Sequence, residues 1–447
     1  MPFITFKAQE SIGIISDNYT PVFSMRMNPA SIADQKPWMS LQLVGVSAYA
    51  RNNLVFAENT KLQNLSSEST YGFDTNNRSY SLYSQAELAG PSLSFTYQKH
   101  AFGIHTAARV YGSAFNLPGE IGEYINNTDG FELEPGIYEI RNLKAKGLGW
   151  VEVGINYGQV YRQGNNNQYS WGASINRLFG VGSAGLSINE ATLEIRDTLD
   201  FGLFANADAN YFFNEPAFNS GRGWSTNVGF VYKKMKSDVS NHIPHSPKGA
   251  CMITDYRLKI GASLLDFGSL KFDSNAESAQ LEAEFNSDDL EEIYDGEISD
   301  QIILNQASTY SIATPAALSL QLDYALTDKI YAAATLVQNI EFLQKNGVKR
   351  ANVLGTSIRY ESRWLGVSIP VTVYNYTRPQ LGIALRAGIF VIGSDHVIPF
   401  ILNSNIYASN AYFRVHIPIL RNPSCVQKNQ KSKRKKNTDS YPPCPKW

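Results

Sequence analysis

The chain of 447 residues contains no unbroken apolar run of about 18 residues, which excludes a transmembrane helix. Charge is sparse: 18% of residues are Asp, Glu, Lys or Arg, below the roughly one quarter usual in soluble domains. The net charge is −1, so no global field selects nucleic acid or an acidic partner. There are three cysteines, Cys251, Cys425 and Cys444, and no CxxC, so the common zinc and thiol-redox signatures are missing. There is no G-x-S-x-G, and no histidine stands in a nucleophile arrangement. "GVGSAG" (Gly180–Gly185) spells the dinucleotide pattern, but "LSINEATLEI" continues as strand where a helix is required, so a glycine-rich hairpin turn is expected. "DFG" (Asp266–Gly268) lies in a strand-like run without kinase partner motifs. His242, His245 and Cys251 share a proline-containing loop that defines no metal site. Nothing signals an enzyme, a catalytic residue, a metal or a cofactor.

What is present is alternation of period two, almost from end to end. In "LSLQLDYAL", Leu318, Leu320, Leu322, Tyr324 and Leu326 fall on one face, with Ser319, Gln321 and Asp323 on the other. "WVEVGINYG" sets Val151, Val153, Ile155 and Tyr157 against Trp150, Glu152, Gly154 and Asn156. "GVSIPVTVY" sets Val367, Ile369, Val371 and Val373 against Ser368, Pro370 and Thr372. "LGIALRAGIFV" sets Leu381, Ile383, Leu385, Ala387, Ile389 and Val391 against Gly382, Ala384, Arg386, Gly388 and Phe390. Further strands are expected over Leu41–Phe56, Tyr80–Gln98, Phe102–Gly112, Tyr169–Arg177, Trp224–Lys233, Tyr256–Phe272, Ile330–Asn339, Val353–Arg363 and Ala411–Ile417, with two or three more between Gly182 and Phe213. Many exceed the usual five or six residues. Tight connections such as Leu326–Ile330 mix with long polar ones such as Asn116–Asn142 and Asp273–Thr309, the asymmetry of an outer-membrane barrel. A mean hydropathy of −0.25 fits, because barrel strands average low.

In such a barrel the apolar face meets lipid and the polar face lines the lumen. Aromatics near strand ends, Tyr310, Tyr324, Tyr360, Trp364, Tyr374 and Tyr376, suit an interfacial girdle. Glu152, Asp323, Arg359, Glu361, Arg363 and Arg386 are then lumen charges, which either brace the wall as ion pairs or guide a solute. Asn286–Asp300 carries seven acids and no base and suits a solvated loop or short helix. The tail "KNQKSKRKKNTDSYPPCPKW" is basic and aperiodic. In an oxidising compartment Cys425 and Cys444 can pair, closing a loop worth on the order of 3 kcal/mol.

"NPASIAD" (Asn28–Asp34) fits neither helix nor strand. It resembles the N-terminal "NPA" element of FadL-like outer-membrane barrels, the long-chain fatty-acid transporter family. "YRLKIGASLLDFGSLKF", "TPAALSLQLDYALTDKIY" and "RYESRWLGVSIPVTVYNYTRPQLGIALRAGIFVIGSD" resemble an uncharacterised Bacteroidota family of the same build. The resemblance implies an all-β, transmembrane antiparallel barrel of about 14 strands (range about 12–16) in the bacterial outer membrane, with an N-terminal lumen plug. The expected divisions are a signal-peptide remnant (1–9), the plug (10–39), the barrel (40–420) and a basic periplasmic tail (421–447). Asn28, Pro29, Ala30 and Asp34 form the plug motif, with Asp34 expected to meet a lumen arginine. The implied function is a plugged channel for small or hydrophobic solutes. The alternative is a non-transporting scaffold that docks partners of the type IX secretion or gliding kind at its loops or tail. Ser31 stands where the transporters often have Gly, and the charged lumen departs from a greasy one. Expected partners are outer-membrane lipid, a solute and a protein at loops or tail, with no nucleic acid.

Overall fold

The computed structural model describes residues 11–65, 70–74, 80–118, 136–195, 204–247, 251, 253–284, 303–340 and 346–425. The alternating runs become fourteen antiparallel strands of one closed barrel. They are β1 (Met39–Asn52), β2 (Tyr80–Ala89 and Ser92–Tyr97), β3 (His100–Leu117), β4 (Gly136–Gly164) and β5 (Asn167–Ile195). Next come β6 (Phe204–Asn214 and Gly221–Met235), β7 (Tyr256–Phe272 and Ala276–Glu284) and β8 (Ile303–Ala307, Tyr310–Ala313 and Ala317–Ala325). The rest are β9 (Ile330–Asn339), β10 (Val353–Glu361), β11 (Leu365–Tyr374), β12 (Pro379–Leu381 and Ile383–Ala387), β13 (Phe390–Ser394) and β14 (Ala408–Ile419). Where a kink interrupts a strand, its pieces pair with the same neighbouring strands. β1 pairs with β14, Met39 opposite Ile419 and Arg51 opposite Ala408, and this seam leaves no free edge.

The apolar faces point outward. Ile155, Ile175 and Ile358 are each more than 60% exposed, while Glu152, Asn176 and Arg359 on the opposite faces are buried. Leu318, Leu320 and Leu322 are exposed, and Ser319 and Asp323 are buried. One parity differs from the sequence pattern. Gly388 takes φ 61° in the hairpin between β12 and β13, and beyond it Phe390 points out and Val391 in. The turn shifts the phase, which a uniform alternation over "LGIALRAGIFV" does not register. Tyr360, Trp364 and Tyr376 are exposed, but Tyr374 is fully buried and Tyr310 turns inward to bond the Ser183 hydroxyl at 2.7 Å.

"GVGSAG" is not a hairpin turn: it lies within β5. A side chain at Gly180 would come within 2.8 Å of the Phe272 ring, so the glycine admits that ring. The strands expected between Gly182 and Phe213 are the end of β5 and the first piece of β6. The expected strand Leu41–Phe56 is divided: β1 ends at Asn52, and Val55–Thr60 joins a separate small sheet with Tyr71–Phe73 and Ser404–Ile406. The connections β2–β3, β4–β5, β8–β9, β10–β11 and β12–β13 are tight and lie at the end of the barrel where β1 starts and β14 finishes. The expected signal remnant (1–9), the acidic run Asn286–Asp300 and most of the basic tail fall outside the described residues.

Candidate functional site: the barrel interior

The segment before β1 is irregular for local reasons. Pro21 starts α2 (Pro21–Met27), and Pro29 starts a 3-10 turn (Pro29–Ile32), both at first-turn positions where the missing N–H costs nothing. Asn28 ends the first and caps the second, its Oδ1 accepting from the Ala30 N–H at 3.0 Å. A shorter helix, α1 (Ile12–Ile15), lies upstream. The apolar residues of the segment are buried. Ile12, Ile15 and Met27 join Tyr49, Leu265, Val337, Val353 and Tyr374 of the wall, and Val22, Phe23, Met25 and Ile32 join Ala101, Ala384, Val391 and Tyr412.

The motif residues come together on the wall. The Asn28 Nδ2 donates to Gln321 Oε1 at 2.9 Å, to the Phe230 carbonyl at 3.1 Å and to the Ala262 carbonyl at 3.4 Å, reaching β8, β6 and β7. Pro29 and Ala30 sit on a row of glycines, in which Gly158 pairs with Gly172 and Gly172 with Gly229 across β4, β5 and β6. A Cβ on Gly172 would lie 2.5 Å from the Ala30 nitrogen, so only glycine leaves room for the segment's backbone. Asp34 meets no arginine. Its carboxylate lies 3.2 Å from the Lys233 Nζ, which also donates to the Asp34 carbonyl at 2.6 Å, and 3.6 Å from the His242 Nε2. Burial alone would raise the Asp34 carboxyl, but Lys233 and His242 prevail and hold it well below the usual carboxylate range.

Charged side chains fill the rest of the lumen in two groups. Near the termini end, Arg386 Nε pairs with Asp17 at 2.8 Å, Arg359 bridges Asp323 and Glu361, and the Asn18 Nδ2 donates to Glu361 at 2.9 Å. Further in, Arg26 of α2 pairs with Glu87 at 2.7 Å and Glu152 at 3.1 Å. Arg109 pairs with Glu152 at 3.3 Å and Asp266 at 2.8 Å, and Arg350 pairs with Asp266 at 2.6 Å. The cavity that Arg26, Glu87, Arg109, Glu152, Asp266 and Arg350 help to line is about 40 Å³, large enough for water but not for a solute. The buried ions of these two groups are tolerated because they pair with partners of opposite sign.

Five of the six expected lumen charges are therefore inside: Glu152, Asp323, Arg359, Glu361 and Arg386. Arg363 is not. β10 ends at Glu361, so Arg363 falls in the exposed hairpin, its guanidinium 5.0 Å from the Trp364 ring, with its carbonyl accepting from Arg386 at 3.2 Å. Sequence reasoning missed Asp17, Arg26, Glu87, Arg109 and Asp266. Arg109 and Asp266 were reachable, since each lies in an alternating run. Arg350 was not: it lies in the β9–β10 connection, which turns inward so that Val348 and Arg350 are buried.

The cysteine pairing also differs from expectation. Cys425 is bonded to Cys251, 174 residues earlier, and not to Cys444, which lies outside the described residues. The fold brings the β6–β7 connection beside the segment after β14, a proximity that spacing along the chain does not reveal.

Among solved structures, the chain resembles the toluene transporter TbuX of Ralstonia pickettii, with 12% identity over 89% of this chain and 93% of that one and a TM-score of 0.43. The toluene transporter TodX of Pseudomonas putida gives 10% identity over 92% and 95%, with a TM-score of 0.38. A FadL homologue of Pseudomonas aeruginosa gives 8% identity over 93% and 99%, with a TM-score of 0.24. Strand paths that diverge this far transfer no substrate to the present chain. No curated protein matches. Residues 29–395, from the second residue of the Asn28–Asp34 motif to the residue after β13, match the model of a family of unknown function (DUF5723), and the chain belongs to that family.

Proposed function

We propose that the protein is a bacterial outer-membrane barrel whose N-terminal segment is a plug, and that the barrel is a normally closed channel for small solutes, hydrophobic ones included. One observation carries this reading. Among the described residues, no backbone-to-backbone hydrogen bond joins residues 12–37 to the wall, whereas the wall's own ladder closes completely through the β1–β14 seam. The segment is held by side chains, so it can leave without breaking the barrel. Displacement around Asn28–Asp34 would open a path lined by the paired charges and by the apolar surface of Tyr49, Leu265, Val337, Val353 and Tyr374.

The second reading, a non-transporting scaffold that docks a protein partner, is favoured by Arg350. It ties the connection opposite the termini into the same ion network, which strengthens the seal. Solute uptake and conductance of the purified protein in liposomes, with and without residues 11–38, separate the two. Flux that rises on deletion supports the plugged channel. A deletion variant that is folded and impermeable sinks it in favour of the scaffold.

A further inference from the structure

One connection at the termini end is not tight. Between β6 and β7, the described residues 236–247, 251 and 253–255 include three that contact the chain leaving the proposed plug. This connection grips three successive plug residues. The His242 Nε2 faces the Asp34 carboxylate at 3.6 Å, the His245 Nε2 donates to the Gln35 carbonyl at 2.8 Å, and Asp255 pairs with the Lys36 Nζ at 2.8 Å. Lys233, at the end of β6, adds its own bonds to Asp34. The grip is itself anchored in the segment after β14. Cys251 is joined to Cys425, and the Asn422 Nδ2 donates to the His245 carbonyl at 3.0 Å. The loop that holds the plug is thus fastened covalently to the chain beyond the last wall strand.

We propose that the Cys251–Cys425 disulfide is a modification site for a dithiol reductant, and that its reduction releases the plug's lower end. The proposal rests on the plugged-channel reading and assigns the regulation of that plug. A thiolate of the reductant attacks the sulfur of Cys251, the less buried of the two residues, and Cys425 leaves as a thiolate that takes up a proton. The reductant's second thiol then attacks the mixed disulfide and expels Cys251, which is protonated in turn. Two thiols form on the protein, and the reductant departs as its disulfide. The grip on Asp34–Lys36 then has no covalent cross-link behind it, only hydrogen bonds: Asn422 to the His245 carbonyl at 3.0 Å, Gln163 to the His242 carbonyl at 2.7 Å and the Val239 N–H to the Asn165 carbonyl at 2.6 Å, while Asn28 keeps its bonds to β6, β7 and β8.

The test uses the full chain with Cys444→Ser, which keeps the tail thiol silent, in detergent micelles and in liposomes. Amide hydrogen exchange over residues 30–38 is followed before and after dithiothreitol, with thiol counting to verify reduction. The expected result is exchange at least tenfold faster across 30–38 on reduction, with the wall amides unchanged. A further Cys251→Ser/Cys425→Ser variant exchanges fast from the start and ignores dithiothreitol. Unchanged exchange in the fully reduced protein overturns the proposal, as does a serine variant that still responds. If the serine variant does not fold, the reduced native protein alone decides. The channel reading is judged separately by deletion of residues 11–38. Flux after deletion with no exchange response to reduction refutes the latch alone. An exchange response without flux after deletion leaves a redox-held segment and refutes the channel.

Discussion

Gly172→Ala strikes the seat of the proposed plug where no side chain can move aside. The added carbon would lie 2.5 Å from both the Ala30 nitrogen and the Pro29 carbonyl carbon, against an ordinary contact of roughly 3.5–4.0 Å. The segment must therefore rise by about 1 Å, or the wall must bow. Rising takes the Asn28–Gln321 bond from 2.9 Å to beyond hydrogen-bonding range and threatens the two carbonyl bonds beside it. At about 0.5–1.5 kcal/mol each, losing all three costs about 1.5–4.5 kcal/mol. Bowing the wall is overpacking, about 1–3 kcal/mol. The cheaper response governs, so the seated state should weaken by about 1–3 kcal/mol, a population shift of about 5- to 150-fold. Hydrogen exchange at the amides of residues 30–33 reads this directly, and conductance in planar bilayers reads its consequence. Gly147→Ala is the control, because its nearest atom would stand 3.9 Å away. Unchanged exchange at 30–33 in Gly172→Ala, or an equal loss of protection in Gly147→Ala, would refute the seat.

Ile155→Arg places a charge on the outward face and should cost about 2–4 kcal/mol if that position lies near the bilayer midplane, measured as lost folding into liposomes; an unaffected variant would contradict the assignment of faces. Arg386→Met leaves Asp17 buried and unpaired and should destabilise by about 3–5 kcal/mol in urea titrations, with Asp17→Asn in the same chain recovering part of the loss. His396, in the connection after β13, is held neutral by burial, its pKa lowered to about 4. Below the ordinary value near 6.5 the unfolded chain binds a proton that the folded one refuses, so this group adds stability as pH rises from about 4 to 6.5, up to about 3 kcal/mol. Its neighbour Asp395, raised by burial to about 6, acts oppositely, subtracting stability as pH rises from about 4 to 6. Chemical denaturation of His396→Gln across pH 4–7 should therefore show a steeper decline with pH than the native chain; parallel curves would reject the assignment.

Much of the wall was legible because one period governs it. Tyr256–Phe272 and Ile330–Asn339 are strands at the bounds the alternation suggests, and the buried charges Glu152, Asp323 and Arg386 follow from knowing which face is polar. Errors cluster where that period is interrupted. Arg363 lies past a strand end, Phe390 lies past a turn that resets the phase, and the glycines of 180–185 answer to an aromatic ring on another strand. Asn28 could be seen as a capping residue, but not that its amide spans three strands, and Asp34 found a lysine because β6 happens to end beneath it. Arg350 and the Cys251–Cys425 pairing depend on how connections fold back over the barrel, and no local pattern encodes that.

The seam between β1 and β14 bears on how the molecule is put together. Met39 can find Ile419 only after every other strand has been made, and a pairing so remote in sequence carries the full entropic penalty of ring closure. The irregular segment immediately precedes β1 and is enclosed by strands drawn from the whole chain. It must lie within the curling sheet before the two edges meet, or thread in afterwards from an open end. Once the ring is shut, the wall acts as a fence: the segment can travel along the barrel axis but not sideways through the sheet. Assembly order thereby limits the routes of later movement to the two mouths, one fastened at Asp34–Lys36 and the other closed over by the connection that carries Arg350.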